Sequence, residues 1–175
     1  MFKYNRYDRP IGYDERKLNK SDLIVSKTNV KGIITYANPT FCAITGYPMS
    51  ELVGKNHNII RHPDMPRALF ELMWQRLQAG KDIYLMVKNL TKDGSFYWVF
   101  AYVVPDLNER QEIIGYHSER RAPNMKALPE IINLYEQVKQ VEIQDGIETA
   151  VSFLTEVAVE KAGSFDNYMY ELQNQ

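Results

Sequence analysis

The segment from Ile83 to Arg121 constrains the fold most, because it carries three strand patterns in close succession. "IYLMVKNLT" and "SFYWVFAYVVP" are separated by Lys92-Asp93-Gly94, and Asp-Gly supplies the positive φ of a tight hairpin at little cost. Asn108-Glu109-Arg110 makes a second, longer turn before "EIIGYHSER". Strands joined by such short turns lie side by side and antiparallel. A further hairpin is predicted upstream, where "DLIVSKTN" and "IITYAN" flank the turn Asn29-Val30-Lys31-Gly32.

Helical patterns fill the space between the two strand groups. "PTFCAITGY" ends at Gly46, and in "PMSELVG" Ser50 is placed to cap another turn that Gly54 terminates. After "NIIRHPDMP", the run "RALFELMWQRLQ" predicts a helix of about 14 residues ending at Gly80. Leu69, Phe70, Met73 and Leu77 fall on one stripe, with Leu72 and Trp74 at its flanks. Two amphipathic helices follow the last strand. "MKALPEIINLYEQVKQVE" groups Ile131, Leu134, Tyr135 and Val138, and "DGIETAVSFLTEVAVEK" groups Ile147, Val151, Leu154 and Ala158. The order predicts an α+β fold: a five-stranded antiparallel sheet with helices on one face, plus a C-terminal helical extension. Its curved inner face is a natural small-molecule cavity. Residues 1–21 read as a polar N-terminal arm, 22–121 as the domain and 122–175 as the extension.

Composition narrows the function. A net charge of −1 gives no electrostatic reason to expect nucleic acid or an anionic membrane as partner. No apolar run approaches the roughly 18 residues of a membrane span, and "MFKYNRYDRP" lacks the apolar core of a signal peptide. A cytoplasmic chain that meets a membrane only through a partner is expected. Cys42 is the one cysteine, so no intramolecular disulfide forms, and its apolar neighbours suggest a buried, inert thiol. There is no zinc spacing, GxSxG, P-loop or dinucleotide GxGxxG, and no enzymatic activity is expected.

The chemistry-bearing candidates cluster around "NIIRHPDMP". Asp64 and Pro66 suit a helix entrance, where a carboxylate satisfies free N–H groups and Pro takes the first helical position. No cap requires Arg61 or His62. Asn89 is either an edge residue facing water or a carboxamide offering donor and acceptor to a ligand. Asn38 is explained by a local Asx turn. Phe70 and Trp74 belong to a core stripe that doubles as a cavity wall. Trp98 points inward or to a partner interface. Three histidines, His57, His62 and His117, leave haem open, since one axial imidazole suffices.

"DLIVSKTNVKGIITYANPTFCAITGYPMSELVGKNHNIIRHPDMP" with "TKDGSFYWVFAYVVPDLNERQEIIGYHSERR" resembles a PAS domain over about residues 22–121. Tyr36-Ala37-Asn38, Thr45-Gly46-Tyr47 and Glu51-Leu52-Val53-Gly54 match the general pattern. "NHNIIRHPDMP", then Phe70, Trp74 and "VKNLTKDGSFYWV", resembles the narrower group of bacterial aerotaxis receptors, which hold FAD non-covalently and report redox state. The absence of a membrane or signalling segment resembles the stand-alone PAS component of bipartite energy-taxis systems, the CetB type. There a cytoplasmic sensor works with a membrane-anchored chemoreceptor-type transducer.

The resemblance implies FAD as cofactor, with Arg61, His62 and Asp64 needed to bind it. It also implies Asn89 on the pyrimidine edge of the flavin, a contribution from Asn38, and walls from Phe70 and Trp74. Ile83 stands where the family motif has Trp, and it can pack on the ring without aromatic stacking or an indole N–H. Light-driven adduct chemistry needs a Cys in "NHNIIRHP", which has none. A cofactor-free interaction module and a haem sensor are the alternatives. The apolar faces of the C-terminal helices suit packing on the domain, on a second copy in a homodimer or on the transducer.

Overall fold

The computed structural model describes residues 3–4 and 10–175, so part of the expected N-terminal arm lies outside the described residues. A small two-stranded sheet pairs β1 (Lys3–Tyr4) with β2 (Pro10–Ile11). The main sheet has five antiparallel strands: β3 (Ile24–Asn29), β4 (Ile34–Ala37), β5 (Ile83–Leu90), β6 (Phe96–Leu107) and β7 (Ile113–Arg121). Their order is β4-β3-β7-β6-β5.

All three expected antiparallel connections form, β3–β4, β5–β6 and β6–β7. At the β5–β6 turn Asp93 accepts from the Thr91 hydroxyl at 2.5 Å and from the Ser95 amide at 3.1 Å. That hydroxyl bond, chiefly, holds its carboxyl well below the usual range. The β3–β4 hairpin and the three-stranded β5–β6–β7 meander then join through β3 and β7, a pairing that turn signals do not specify. Gly115 permits it, because a Cβ there would run into the Thr28 carbonyl oxygen.

Helix α1 (Pro39–Thr45) is capped by Asn38, whose Oδ1 accepts from the Phe41 amide at 3.0 Å, and ends at Gly46 with φ 74°. In α2 (Met49–Leu52) Ser50 lies inside the helix and Pro48 occupies the cap position, contrary to the expected serine cap. After a 3₁₀ turn at His57–Ile60 comes α3 (Arg67–Gln78), 12 residues long. Here the helix-entrance expectation is corrected. Pro66 is the cap residue rather than the first helical one, and Asp64 does not cap. Its carboxylate is drawn to Lys88 Nζ at 2.8 Å, and the Ala68 amide instead donates to Glu142 Oε2 at 3.0 Å. A residue 74 positions away caps α3.

The C-terminal extension holds three helices where two were expected: α4 (Leu128–Asp145), α5 (Ile147–Ala162) and α6 (Phe165–Asn174). Gly163, with φ 79°, ends α5, and Ser164 Oγ accepts from the Asn167 amide at 3.1 Å to start α6. Phe165, Tyr168, Met169 and Leu172 are buried at i, i+3, i+4 and i+7. These helices pack on the domain itself. Tyr135 Oη of α4 donates to the Met86 carbonyl of β5 at 2.7 Å, and Arg76 of α3 pairs with Asp166 of α6 at 2.5 Å. An edge strand that would otherwise expose unpaired backbone is thereby covered. Trp98 is 7% exposed beside Leu128, Ile132 and Tyr135. It therefore faces away from the inner cavity, neither inward nor free for a partner. Cys42 is half-buried rather than buried.

Candidate functional site

Alternation along the strands sends Leu85, Val87 and Asn89 of β5, and Val99, Ala101 and Val103 of β6, to one face. Opposite them, the stripe of α3 presents Phe70, Met73 and Trp74. A cavity of about 470 Å³ lies between, within the range of small-molecule sites.

At one edge of the cavity the chain leaving the 3₁₀ turn pairs with β5: Arg61 and Asn89, far apart in sequence, form an isolated antiparallel bridge. The Arg61 guanidinium lies 4.1 Å from the centre of the Phe70 ring, a cation–π contact. Asn89 is 5% exposed. Trp74 meets Tyr116 edge-on with centres 5.2 Å apart, and it packs close to Gly32, where an added Cβ would touch it at 3.6 Å. Arg61, Phe70, Trp74 and Asn89 thus line one cavity.

The other four candidates do not line it. His62 follows Arg61 to the opposite side of the β5 edge. It is 2% exposed, its Nδ1 accepts from the Asp64 amide at 3.1 Å, and its ring meets Phe96 edge-on at 6.0 Å. Asp64 lines a separate concavity with Lys88, Phe96 and Trp98. Burial alone would raise the Asp64 pKa, but the Lys88 bond and the His62, Lys88 and Lys139 charges hold it below the usual value. Asn38 is occupied at the start of α1, accepting from the Val25 amide at 3.0 Å and donating to the Leu23 carbonyl at 2.8 Å. Ile83 lies on the cavity face of β5 but beyond the cavity, fully buried in the core.

The far end of the cavity holds groups that the sequence reading did not assign to a ligand together. Arg120 of β7 is 2% exposed. Its Nη2 donates to Ser26 Oγ at 2.5 Å, and Nη1 lies 3.4 Å from His57 Nε2. His57 Nε2 also lies 3.0 Å from Ser26 Oγ, and its ring stacks on Phe41 with centres 5.7 Å apart. Enclosure of the His57 ring and then the Arg120 charge lower its pKa to about 3, so the imidazole is neutral at pH 7. Burial lowers Arg120 to about 10, which leaves it charged. The available signal was Arg120, a long cation at an inward position of β7 in register with the buried Ile24 of β3.

The fold agrees with the comparisons. The family model described as the PAS fold matches residues 34–120. Residues 34–120 form a PAS domain. The aerotaxis receptor of Escherichia coli (strain K12) is 41% identical over 112 residues, which is 64% of this chain and 22% of that protein. A nitrogen fixation regulatory protein of Klebsiella pneumoniae is 29% identical over 143 residues, 74% of this chain and 29% of that protein. The chain therefore spans under a third of either relative's length. Among solved structures, a light-oxygen-voltage domain studied with a flavin analogue superposes with a TM-score of 0.56 at 22% identity, covering 66% of this chain and 86% of that one. The blue-light photoreceptor Aureochrome1 LOV domain in its dark state gives 0.54 at 20% identity, covering 68% and 86%. Both likenesses show the fold. Among the described residues of the PAS protein, no group of three His, Cys, Asp or Glu side chains is placed to hold a metal ion, and no helix is long and apolar enough to cross a membrane.

Proposed function

We propose that the PAS cavity binds FAD non-covalently and that the chain is a cytoplasmic redox sensor. It would relay the cofactor's state to a membrane-anchored, chemoreceptor-type transducer, as in energy taxis of the CetB type. The observation that carries this reading is the bridge joining Arg61 to Asn89 at the edge of the cavity that Phe70 and Trp74 also line. The 41% identity to an aerotaxis receptor supports the same reading.

The residues present fit a flavin. Phe70, Trp74, Leu85 and Val87 supply apolar walls for a flat ring. Asn89 offers the donor and acceptor that a pyrimidine edge requires. Arg61 presents a rigid fork suited to pyrophosphate or to polar ring edges. His62 and Asp64 act through position: the hydrogen bond that the Asp64 backbone amide donates to His62 Nδ1 and the Lys88 ion pair fix the segment that carries Arg61. When bound, the flavin supplies reversible electron uptake, and the protein's part is to orient it and read its state. Because Ile83 lies beyond the cavity, apolar walls and Phe70 take the place of the family's Trp.

The relay runs through β5. Its cavity face carries Asn89, while its edge carbonyl at Met86 accepts from Tyr135 of α4. A shift of the Arg61–Asn89 pair therefore moves the strand against the C-terminal helices. Ligand states signal only by favouring different conformations. Haem has less support, because His57 Nε2 already faces Ser26 and Arg120, and His62 Nδ1 is occupied by the Asp64 amide.

Cofactor extraction from the purified chain tests the reading. The expected result is stoichiometric FAD in the parent and a large loss in Arg61→Ala. A Soret band would replace FAD with haem. A colourless parent that takes up no added FAD, with signalling intact, would leave a cofactor-free interaction module.

A further inference from the structure

Among the described residues Arg120 is a buried cation without a carboxylate counter-ion. Among the described residues no carboxylate comes within salt-bridge distance of it, and its Nε has no hydrogen-bond partner. Its remaining neighbours are the Ser26 hydroxyl, the neutral His57 imidazole and the Phe41 ring, whose centre lies 4.5 Å from the guanidinium carbon. The other titratable group that acts on it is the Tyr97 phenol. The hydroxyl, the neutral imidazole and the Phe41 ring carry no negative charge at pH 7. Fully buried arginines are almost always paired, and an unpaired one is costly. Arg120 lines the cavity, so a ligand is the remaining source of compensating charge.

We propose that Arg120, positioned by Ser26 and His57, forms an anion-accepting subsite at the β3–β7 end of the cavity, and that it takes the part of the ligand ring that becomes negative on reduction. The proposal rests on the FAD reading. A ring edge suits this subsite better than a pyrophosphate does, since Arg120 is 2% exposed whereas Arg61 is only half-buried. When dithionite, itself oxidised to sulfite, gives two electrons to a bound flavin, one proton would be taken up at N5. The N1–C2 edge keeps the negative charge, because the guanidinium supplies the compensation that a second proton would otherwise bring. Fixed charge of this kind, already in place before the electron arrives, favours the reduced form.

The test is the midpoint potential of FAD bound to the full chain, titrated with dithionite, in the parent and in Arg120→Gln. The subsite predicts at least a tenfold loss of preference for the reduced ring, which is a fall of about 30 mV for a two-electron couple. Arg120→Lys, which keeps the charge, should recover most of it. An unchanged potential in an Arg120→Gln protein that still binds FAD overturns the proposal. So does a loss of affinity that is equal for both redox states, which would place phosphate at Arg120 rather than the ring. If Arg120→Gln does not fold, Ser26→Ala, which removes the acceptor holding Nη2, should lower the potential by less and in the same direction, and no shift overturns the proposal. If the parent takes up no FAD, the FAD reading fails separately. The subsite is then read from thermal unfolding with benzoate and its neutral analogue benzamide. Stronger stabilisation by benzoate supports an anion site, and equal stabilisation or none overturns it.

Discussion

Along Arg61–Asp64 the fold gives each of the three charged or titratable side chains a contact: Arg61 lies over Phe70, His62 takes the Asp64 amide, and Asp64 pairs with Lys88. At the far end of the same cavity Arg120 has a hydroxyl, a neutral imidazole and a ring, and no carboxylate. Both regions use Arg and His, but toward opposite ends. In the first, satisfied groups fix a segment and a strand edge, so their removal should cost stability. In the second, a charge is kept unpaired at a cost to stability, which a binding site tolerates when the ligand offsets it.

Four measurements can break or sharpen that contrast. The steepest expected change is with pH. The His57 pKa is lowered to about 3 in the folded protein, against about 6.5 for an unfolded histidine. Its contribution to stability is therefore full above about pH 6.5 and is lost as pH falls from there toward 3. Urea unfolding across that window should show the loss, and His57→Phe should flatten it. A parent profile that matches His57→Phe would mean that the fold does not lower the His57 pKa. Next, His62→Ala should cost about 2–3 kcal/mol of unfolding free energy, from a lost buried bond and the void left behind. Arg120→Met should change the cofactor-free protein in the other direction, by about 1–2 kcal/mol of gain. If it destabilises as much as His62→Ala, the two regions are alike and the contrast fails. Smallest, Asp64→Asn should cost about 0.5 kcal/mol, because the ion pair with Lys88 is largely exposed on the Asp64 side, and added salt should erase the difference.

Much of the fold was legible because it is locally encoded. Asp93-Gly94 sets one hairpin, Asn29 to Gly32 another, and Gly46 stops α1. What depends on distant partners was not. Glu142 capping α3 and β3 inserting beside β7 at Gly115 both need three-dimensional proximity. The third C-terminal helix did leave a signal, Gly163-Ser164 before an apolar stripe, which the sequence reading passed over. The candidate site divides in the same way. Arg61, Phe70, Trp74 and Asn89 reach one cavity, while His62 and Asp64, one and three residues after Arg61, fall on the other side of the β5 edge. Neighbours in sequence diverge across a strand edge, and no motif spacing reports that. Ser26, His57 and Arg120 come from three separate segments and meet only in the folded chain.

The claim that this cavity is the flavin site is tested most directly by filling it. Ala101 lies on its floor at 3% exposure, and Phe at that position would occupy the space a ring needs. Equilibrium titration of FAD into the flavin-stripped chain should give saturable binding in the parent. A101F should show none while still unfolding cooperatively. Undiminished FAD binding by a folded A101F protein would contradict the account.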